Sequence, residues 1–299
     1  MVRGLRSASR SVLSAFQFRA LSPFFFRGPG FLVALSPTFN AQDGSPLVTR
    51  VIAVANQKGG VGKTTTAVNV ASYLAAEGPV LLIDMDPQGN ATLHFGTNPD
   101  DLEESLYDVL VSDRPLEDVI LETEIDNLRV VPSDLNLSAA EIELTSVIGR
   151  ESVLKDKLAS LQDTYEYVVL DVPPSLGLLC LNALNAAGEV IVPVQTQFFS
   201  LKGLGQLLKI VELVNVKLNH HIEVRYLATM VDKRTSMSMV ALEKLQTQFA
   251  DRLFDTVIHV GTKLSECPVH GQPINLYAPR CRAALEYEAL SQEIIALAD

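Results

Sequence analysis

The sequence predicts a single α/β domain with a mostly parallel, twisted sheet and helices on both faces. Short apolar runs alternate with segments of helical periodicity from residue 50 onward, as is typical of a parallel sheet covered on both sides. The segment 50–299 holds about 250 residues, a length that one α/β domain accommodates. No internal repeat or long low-complexity linker interrupts it.

The predicted elements follow from where these patterns begin and end. Strands are predicted at residues 50–56, 80–85, 128–131, 166–171, 189–194, 224–230 and 255–259. Helices are predicted at residues 63–76, 103–111, 138–147, 151–162, 176–186, 203–218, 237–250 and 283–297. The alternation of the two types along the chain is the basis for expecting parallel strands.

The first 49 residues differ in composition from the rest of the chain. They contain five arginines, seven serines, one acidic residue (Asp43) and no lysine. Such a segment is typical of an organelle transit peptide, and an upstream extension from a misassigned start codon is the alternative. We expect residues 1–49 to be a disordered leader, with the misassigned start as the preferred interpretation, and residues 50–299 to be the folded domain.

Charge is unevenly distributed along a chain whose formal net charge is −11. Residues 51–199 hold 7 basic and 23 acidic residues, whereas residues 200–299 hold 11 of each. A protein this acidic is not an obvious DNA binder. The three widely spaced cysteines form no CxxC pair and suggest no disulfide framework.

A glycine-rich stretch lies between the first predicted strand and the first predicted helix. Backbone N–H groups of such a loop converge on an anion and the helix dipole adds to the attraction, so the stretch predicts a phosphate-binding P-loop. We assign nucleotide binding to its eight residues, which are Lys58, Gly59, Gly60, Val61, Gly62, Lys63, Thr64 and Thr65. Lys63 is expected to reach the β- and γ-phosphates, and the Thr64 hydroxyl is expected to hold Mg²⁺. The stretch departs from G-x-x-x-x-G-K-[ST] at its first position, Gln57, and carries an additional lysine, Lys58.

Two further apolar runs end in aspartate. Asp171 closes one of them and is expected at the C-terminal edge of the sheet, where open α/β sheets bind ligands. An acid there can hold the Mg²⁺ shell, so Asp171 joins Thr64 as a candidate metal ligand. Asp84 and Asp86 end the run that begins at residue 80, and for Asp84 a functional and a structural role are both open.

Three motifs together resemble the ParA/MinD family of ATPases. The segment 58–65 (KGGVGKTT) resembles its deviant Walker A motif, residues 80–92 resemble its second motif, and residues 167–175 resemble its Walker B strand. The resemblance runs through nearly all of residues 50–296. Within the family, the three motifs together point to the ParA/Soj partitioning branch. It implies a P-loop NTPase domain at 50–299, ATP hydrolysis, and ATP and Mg²⁺ as cofactors.

The same resemblance implies roles and partners. Asp86 would be catalytic by orienting the attacking water, and Lys58 would be catalytic across a dimer interface, as an arginine finger is. ATP would hold two subunits together as a homodimer. The family also implies non-specific DNA binding, a ParB-type protein that stimulates hydrolysis, and a cytoplasmic, nucleoid-associated location, with organelle import as the alternative if the leader is genuine.

Three basic residues match the family's DNA-binding patch, namely Lys233, Arg234 and Lys263. Phosphate contacts require only cationic side chains, and the alternative for each residue is an ordinary solvated surface position. The segment 258–263 (IHVGTK) departs from the family's Ile-Pro-Arg-Asn-Val-Arg, whose proline and asparagine line the adenine pocket. The departure puts base selectivity and DNA affinity in question.

Two other functions are open. A MinD-like membrane-cycling ATPase would end in a short basic amphipathic helix, whereas residues 285–299 are amphipathic and acidic. Anionic lipid would repel them, so we expect no stable membrane association. A ParA-like ATPase that positions a protein cargo is the second alternative, and a neighbouring gene for a ParB-type protein would favour DNA partition over it.

Overall fold

The computed structural model describes residues 49–161, 163–198 and 201–297. Its strands are β1 (Arg50–Val54), β2 (Val80–Asp84), β3 (Leu121–Glu122), β4 (Leu128–Val131), β5 (Tyr167–Asp171), β6 (Glu189–Gln195) and β7 (Glu223–Thr229). They form one sheet in the order β3-β4-β2-β5-β1-β6-β7. Every neighbouring pair is parallel except β3 with β4, which is antiparallel. The predicted leader lies outside the described residues, apart from Thr49.

Helices connect the strands and cover both faces of the sheet. They are α1 (Lys63–Leu74), α2 (Asn90–Leu93), α3 (Leu106–Val111), α4 (Leu137–Glu143), α5 (Val153–Leu158), α6 (Leu178–Ala186), α7 (Leu201–Lys217), α8 (Ser236–Phe249), α9 (Thr262–His270), α10 (Ile274–Tyr277) and α11 (Arg282–Ala296). Among these described helices, none has both the length and the apolar character that crossing a membrane requires.

The sheet separates two hydrophobic cores because successive strand residues point to opposite faces. In β2, Leu81 and Ile83 pack with α3–α8, whereas Val80 and Leu82 pack with α1 and α9–α11. All residues of β2 and β5 are buried, which explains why they read as continuous apolar runs in the sequence. The predicted α/β domain with helices on both faces is confirmed.

The predicted strand at 255–259 is wrong. In this segment His259 forms an isolated bridge with Val231, and the Ile258 N–H donates to the Ala228 carbonyl of β7. The N–H groups of Asp255 and Thr256 donate instead to the carboxylate of Glu293 in α11, over 2.9 and 2.8 Å. Because a helix side chain takes these donors, the segment cannot pair regularly with β7.

Candidate nucleotide-binding site

The predicted phosphate loop joins β1 to α1 at the C-terminal edge of the sheet, beside β5 and β6. Gly60 and Gly62 have φ angles of 69° and 91°, a region that side chains disfavour. Gly62 is the N-cap of α1 and offers no side-chain acceptor, and the first turn holds no acidic residue. The first N–H groups of α1 therefore keep the positive partial charge that attracts a phosphate.

Contacts with two neighbouring strands hold the loop in place. The Thr229 hydroxyl, at the end of β7, donates to the Val61 carbonyl over 2.8 Å. The Asn56 amide donates to the Pro193 carbonyl of β6 over 2.7 Å and accepts the Lys58 N–H over 3.0 Å. The sequence offers no signal for Thr229, whereas Asn56 is marked only as a polar residue directly after an apolar run.

Lys63 lies inside the loop and is only 7% exposed. Its ammonium donates to the Lys58 carbonyl over 3.4 Å, a long hydrogen bond. Burial lowers the pKa of Lys63, and the nearby carboxylates of Asp171 and Asp86 oppose that shift. The ammonium is therefore poorly solvated, weakly bonded and close to the site, as a phosphate-binding group should be.

Asp84 and Asp171 are register partners at the ends of β2 and β5, and both are fully buried. Asp84 accepts three hydrogen bonds, from the Thr92 N–H (2.8 Å), the Thr92 hydroxyl (2.8 Å) and the Asp86 N–H (3.1 Å). Burial raises its pKa to about 6 against the effect of these donors. With both oxygens engaged, Asp84 orients the turn that follows β2, so the geometry favours its structural role.

Asp171 has a different environment from its neighbour. The Thr64 hydroxyl lies near enough to lower its pKa, yet neither carboxylate oxygen has a hydrogen bond of normal geometry to the described residues. Burial, with Asp84 as the next cause, raises the Asp171 pKa well above its usual range. A buried carboxylate without donors fits a divalent cation, so Thr64 and Asp171 are the residues that could hold Mg²⁺.

Asp86 stands two residues beyond the end of β2 and is half-buried. One of its oxygens accepts the Gln88 N–H over 3.0 Å. It lies close enough to Lys63 and Asp171 to act on the pKa of both. The fold therefore brings Lys63, Thr64, Asp86 and Asp171 to one sheet edge. Of the two acids in this group, Asp86 is the one that reaches solvent.

Lys58 sits at the mouth of the loop and is half-buried. Its ammonium donates to the side-chain oxygen of Gln195, the last residue of β6, over 3.0 Å. Sequence reasoning missed Gln195, because the contact joins residues 137 positions apart.

The three predicted DNA-binding residues are exposed. Lys233 and Arg234 follow β7 and are exposed, and Lys263 lies in the first turn of α9. Arg234 makes a two-pronged ion pair with Asp232, at 2.9 Å for each hydrogen bond. Lys263 contacts Glu266 at 2.7 Å. Two of the three cations are thus already matched by a carboxylate of the same chain.

The segment that departs from the family pattern is anchored to α11. His259 is buried and its Nδ1 lies 2.7 Å from Glu286. The His259 N–H donates to the same carboxylate over 2.9 Å, and Arg282 contacts it at 2.6 Å. A histidine therefore fills this position through a helix contact that sequence reasoning did not anticipate.

Residues 49–224 match the family model described as an AAA domain. Sporulation initiation inhibitor protein Soj of Bacillus subtilis (strain 168) is 46% identical over 249 residues, which cover 83% of this chain and 98% of that protein. Chromosome partitioning protein ParA of Myxococcus xanthus (strain DK1622) is 42% identical over 250 residues, which cover 83% and 88%.

Solved structures of the same fold are also similar to the chain. Cobyrinic acid a,c-diamide synthase from Mycobacterium smegmatis, with bound ATP analog and magnesium, is 33% identical with a TM-score of 0.72, over 83% of this chain and 95% of that one. A plasmid partition protein from Borrelia burgdorferi is 25% identical with a TM-score of 0.67, over 83% and 99%. Given the phosphate loop, the buried metal-type carboxylate and these matches, the chain belongs to the ParA/Soj family of ATP-hydrolysing partition proteins.

Proposed function

We propose that this ATPase binds DNA without sequence preference as an ATP-bound homodimer, and that a ParB-type partner stimulates hydrolysis and release. The observation that carries the proposal is the convergence of Lys63, Thr64, Asp86 and Asp171 on the phosphate loop at one edge of the sheet. The chromosome-partitioning role named for the Myxococcus xanthus relative at 42% identity, and the plasmid-partition role named for the Borrelia burgdorferi structure, support chromosomal or plasmid DNA as the cargo.

Each side chain has one role in the proposed reaction. Lys63 binds the β- and γ-phosphates, and Thr64 and Asp171 hold Mg²⁺. When bound, Mg²⁺ supplies neutralisation of the phosphate charge. Asp86 accepts a hydrogen bond from the attacking water and orients it. Asp84 holds the Asp86 segment in place through the hydrogen bonds already described.

Lys58 completes the site across the dimer interface. Phosphoryl transfer depends on positioning and on neutralising charge at the phosphoryl oxygens, and a second ammonium at the loop mouth serves both. Because that ammonium acts on the partner's nucleotide, ATP joins the two subunits. Hydrolysis removes the γ-phosphate contact and loosens the pair.

The DNA surface is proposed at Lys233, Arg234 and Lys263. For Arg234 and Lys263, phosphate must compete with Asp232 and Glu266, so a single chain presents a weak cationic surface. Dimerisation doubles this surface and raises its avidity. A net negative chain is thereby compatible with binding that depends on ATP.

The ParA-like protein-cargo role stays as the second candidate, since the carboxylate-paired cations and the altered 258–263 segment both lower the expected DNA affinity. We propose a cytoplasmic, nucleoid-associated location. The relatives named above are bacterial and lend no support to organelle import.

The test is DNA binding by the full chain and by residues 48–299, with ATP, with ADP and without nucleotide, across a salt series. The fragment removes the basic leader, which could bind DNA by itself. ATP-dependent, salt-sensitive and sequence-independent binding by both supports partition. Absence of binding in every nucleotide state, with ATP-dependent dimerisation intact, would refute DNA as the cargo.

A further inference from the structure

We propose that Gln195 is a positioning residue that holds Lys58 in a resting position in the monomer and releases it when the ATP-bound dimer forms. The inference rests on the proposed function, in which Lys58 acts across the dimer interface. In this inference, the end of β6 helps to set the nucleotide concentration at which the protein dimerises.

The contact has the geometry of a specific hydrogen bond. The Lys58 ammonium lies 3.0 Å from the Gln195 side-chain oxygen. The Gln195 amide nitrogen donates to the side-chain oxygen of Gln197 over 3.3 Å. The lysine contact fixes which end of the Gln195 amide faces Lys58, because the opposite orientation would place two donors against each other. The amide nitrogen then points to the side-chain oxygen of Gln197 as its acceptor.

The residue that follows Gln195 is anchored to α8 and to the segment after β7. Thr196, which follows it, is fully buried, and its hydroxyl lies 2.7 Å from the Ser238 hydroxyl of α8 and donates to the Met230 carbonyl over 3.3 Å. A residue tied in this way holds its neighbour's side chain in a defined place. The resting position of Lys58 is thus set by the fold rather than by chance contact on the surface.

The same strand also holds the main chain of Lys58. Pro193 of β6 accepts the Asn56 amide, and Asn56 in turn accepts the Lys58 N–H. The end of β6 therefore controls both the backbone and the ammonium of this lysine. Withdrawal of the Gln195 amide removes its contact to the ammonium and leaves the Asn56 contacts of the loop in place.

The chemistry of the acceptor suits a contact that must break. An amide oxygen carries no net charge, so it holds an ammonium less strongly than a carboxylate does. The phosphates of a nucleotide carry several negative charges and compete well against it. A glutamate at position 195 would instead form an ion pair and keep the lysine in its resting position.

The experiment compares Gln195→Leu, Gln195→Glu and the control Gln206→Glu, which adds the same charge at an exposed position of α7. Dimerisation of the full chain is followed by sedimentation velocity while a non-hydrolysable ATP analogue with Mg²⁺ is titrated. The midpoint is the analogue concentration at which half of the protein is dimeric. We expect it to fall by about two- to fivefold for Gln195→Leu and to rise by a similar factor for Gln195→Glu. Gln206→Glu should match the wild type.

ADP affinity separates positioning from a damaged or repelled nucleotide site. ADP binds the phosphate loop of the monomer, so its dissociation constant should stay within about twofold of the wild type for all variants. If ADP affinity changes in step with the dimerisation midpoint, Gln195 acts on the nucleotide site itself and the inference is wrong.

A second readout distinguishes this inference from the proposed function. Acetylation of Lys58 in nucleotide-free protein, measured by mass spectrometry, should be faster in Gln195→Leu and slower in Gln195→Glu. Unchanged acetylation in both variants overturns the inference. If Lys58→Ala still dimerises with the analogue, the proposed role of Lys58 fails, and the acetylation rates still decide whether Gln195 holds the lysine.

Discussion

Two aspartates that face each other across neighbouring strands have opposite surroundings. Asp84 is held by three donors, whereas Asp171 is buried without a normal hydrogen bond to the described residues. Identical carboxyl groups therefore suit different purposes: the first fixes a turn, and the second has oxygens that could hold a cation. Thr92, eight residues after Asp84, supplies two of the three donors to Asp84. It makes no hydrogen bond to Asp171.

The raised pKa of Asp84, about 6, predicts a pH-dependent stability. The folded, nucleotide-free protein holds this proton more tightly than the unfolded chain, so the Asp84 contribution is present below about pH 4 and is lost as pH rises through about 6. In Asp84→Asn that loss is absent. The free energy of unfolding is measured by urea denaturation between pH 4.5 and 7.5. As pH rises, the value for the variant should increase relative to that of the wild type, by about 2–3 kcal/mol at most.

The matched control for this experiment is Asp100→Asn, at an exposed position. It should follow the wild-type pH dependence throughout. Parallel curves for Asp84→Asn and the wild type would contradict the assigned pKa.

Asp86→Ala should separate ATP binding from hydrolysis. The residue lies outside the phosphate loop, so the variant should bind ATP and dimerise, while turnover falls by about a hundredfold or more. In the proposed cycle it accumulates as an ATP-bound dimer on DNA. The measurement is nucleotide affinity beside steady-state hydrolysis, and a variant that fails to bind ATP would show that Asp86 has another role.

At the scale of elements, α11 determines the path of the segment that runs along β7. Glu293 accepts two backbone N–H groups and Glu286 accepts another. Arg50 of β1 donates to the Ile294 carbonyl over 2.9 Å, so the helix is tied to an interior strand as well. The C-terminal helix is therefore part of the scaffold that carries the nucleotide site.

Glu293→Ala should destabilise the fold by about 1–3 kcal/mol, because it leaves the N–H groups of Asp255 and Thr256 without their acceptor. Glu288→Ala, at an exposed position of the same helix, should change stability by less than about 0.5 kcal/mol. Urea denaturation measures both. Equal effects would contradict the assigned role of the two backbone contacts.

The local sequence pattern predicted the helices and strands whose own residues carry a clear apolar or helical periodicity. Six strands and the long helices follow from apolar runs and helical periodicity. The edge strand β3 has two residues, and α9 holds an internal proline, Pro268, so neither gives a strong signal. The prediction of a strand at 255–259 is wrong because the competing acceptor, Glu293, lies 38 and 37 residues away in sequence from the two donors.

The same limit applies to the site. The phosphate loop, Asp86 and Asp171 could be predicted because each is marked by its own neighbours in sequence. Asn56, Thr229 and Gln195 could not be predicted, because their contacts join distant residues. Sequence therefore identifies the groups that we propose to act on the nucleotide, and the fold identifies the side chains that hold them.

At the scale of the whole molecule, the balance of charge decides whether DNA binding is feasible. Asp232 pairs with Arg234, which lowers the Asp232 pKa to about 2, so the acid is ionised at every pH of interest. Asp232→Asn should free an arginine that is 83% exposed. The DNA affinity of the ATP-bound dimer is expected to rise by about two- to fivefold.

Asp251→Asn is the control, since it changes net charge equally at an exposed position after α8. Fluorescence anisotropy at several salt concentrations measures both variants. A rise of the same size in the control would assign the effect to net charge and exclude a specific contact by Arg234.

The segment along β7 has a consequence for self-association. Phe254 and Ile258 donate to carbonyls of Tyr226 and Ala228, and Val231 donates back to Ile258. These bonds occupy polar groups that an outer strand would otherwise offer to another chain, and the opposite border of the sheet is a strand of only two residues. Growth of the sheet from one copy into the next is thereby discouraged at both borders. The proposed dimer would then form and separate without competition from strand pairing at these borders.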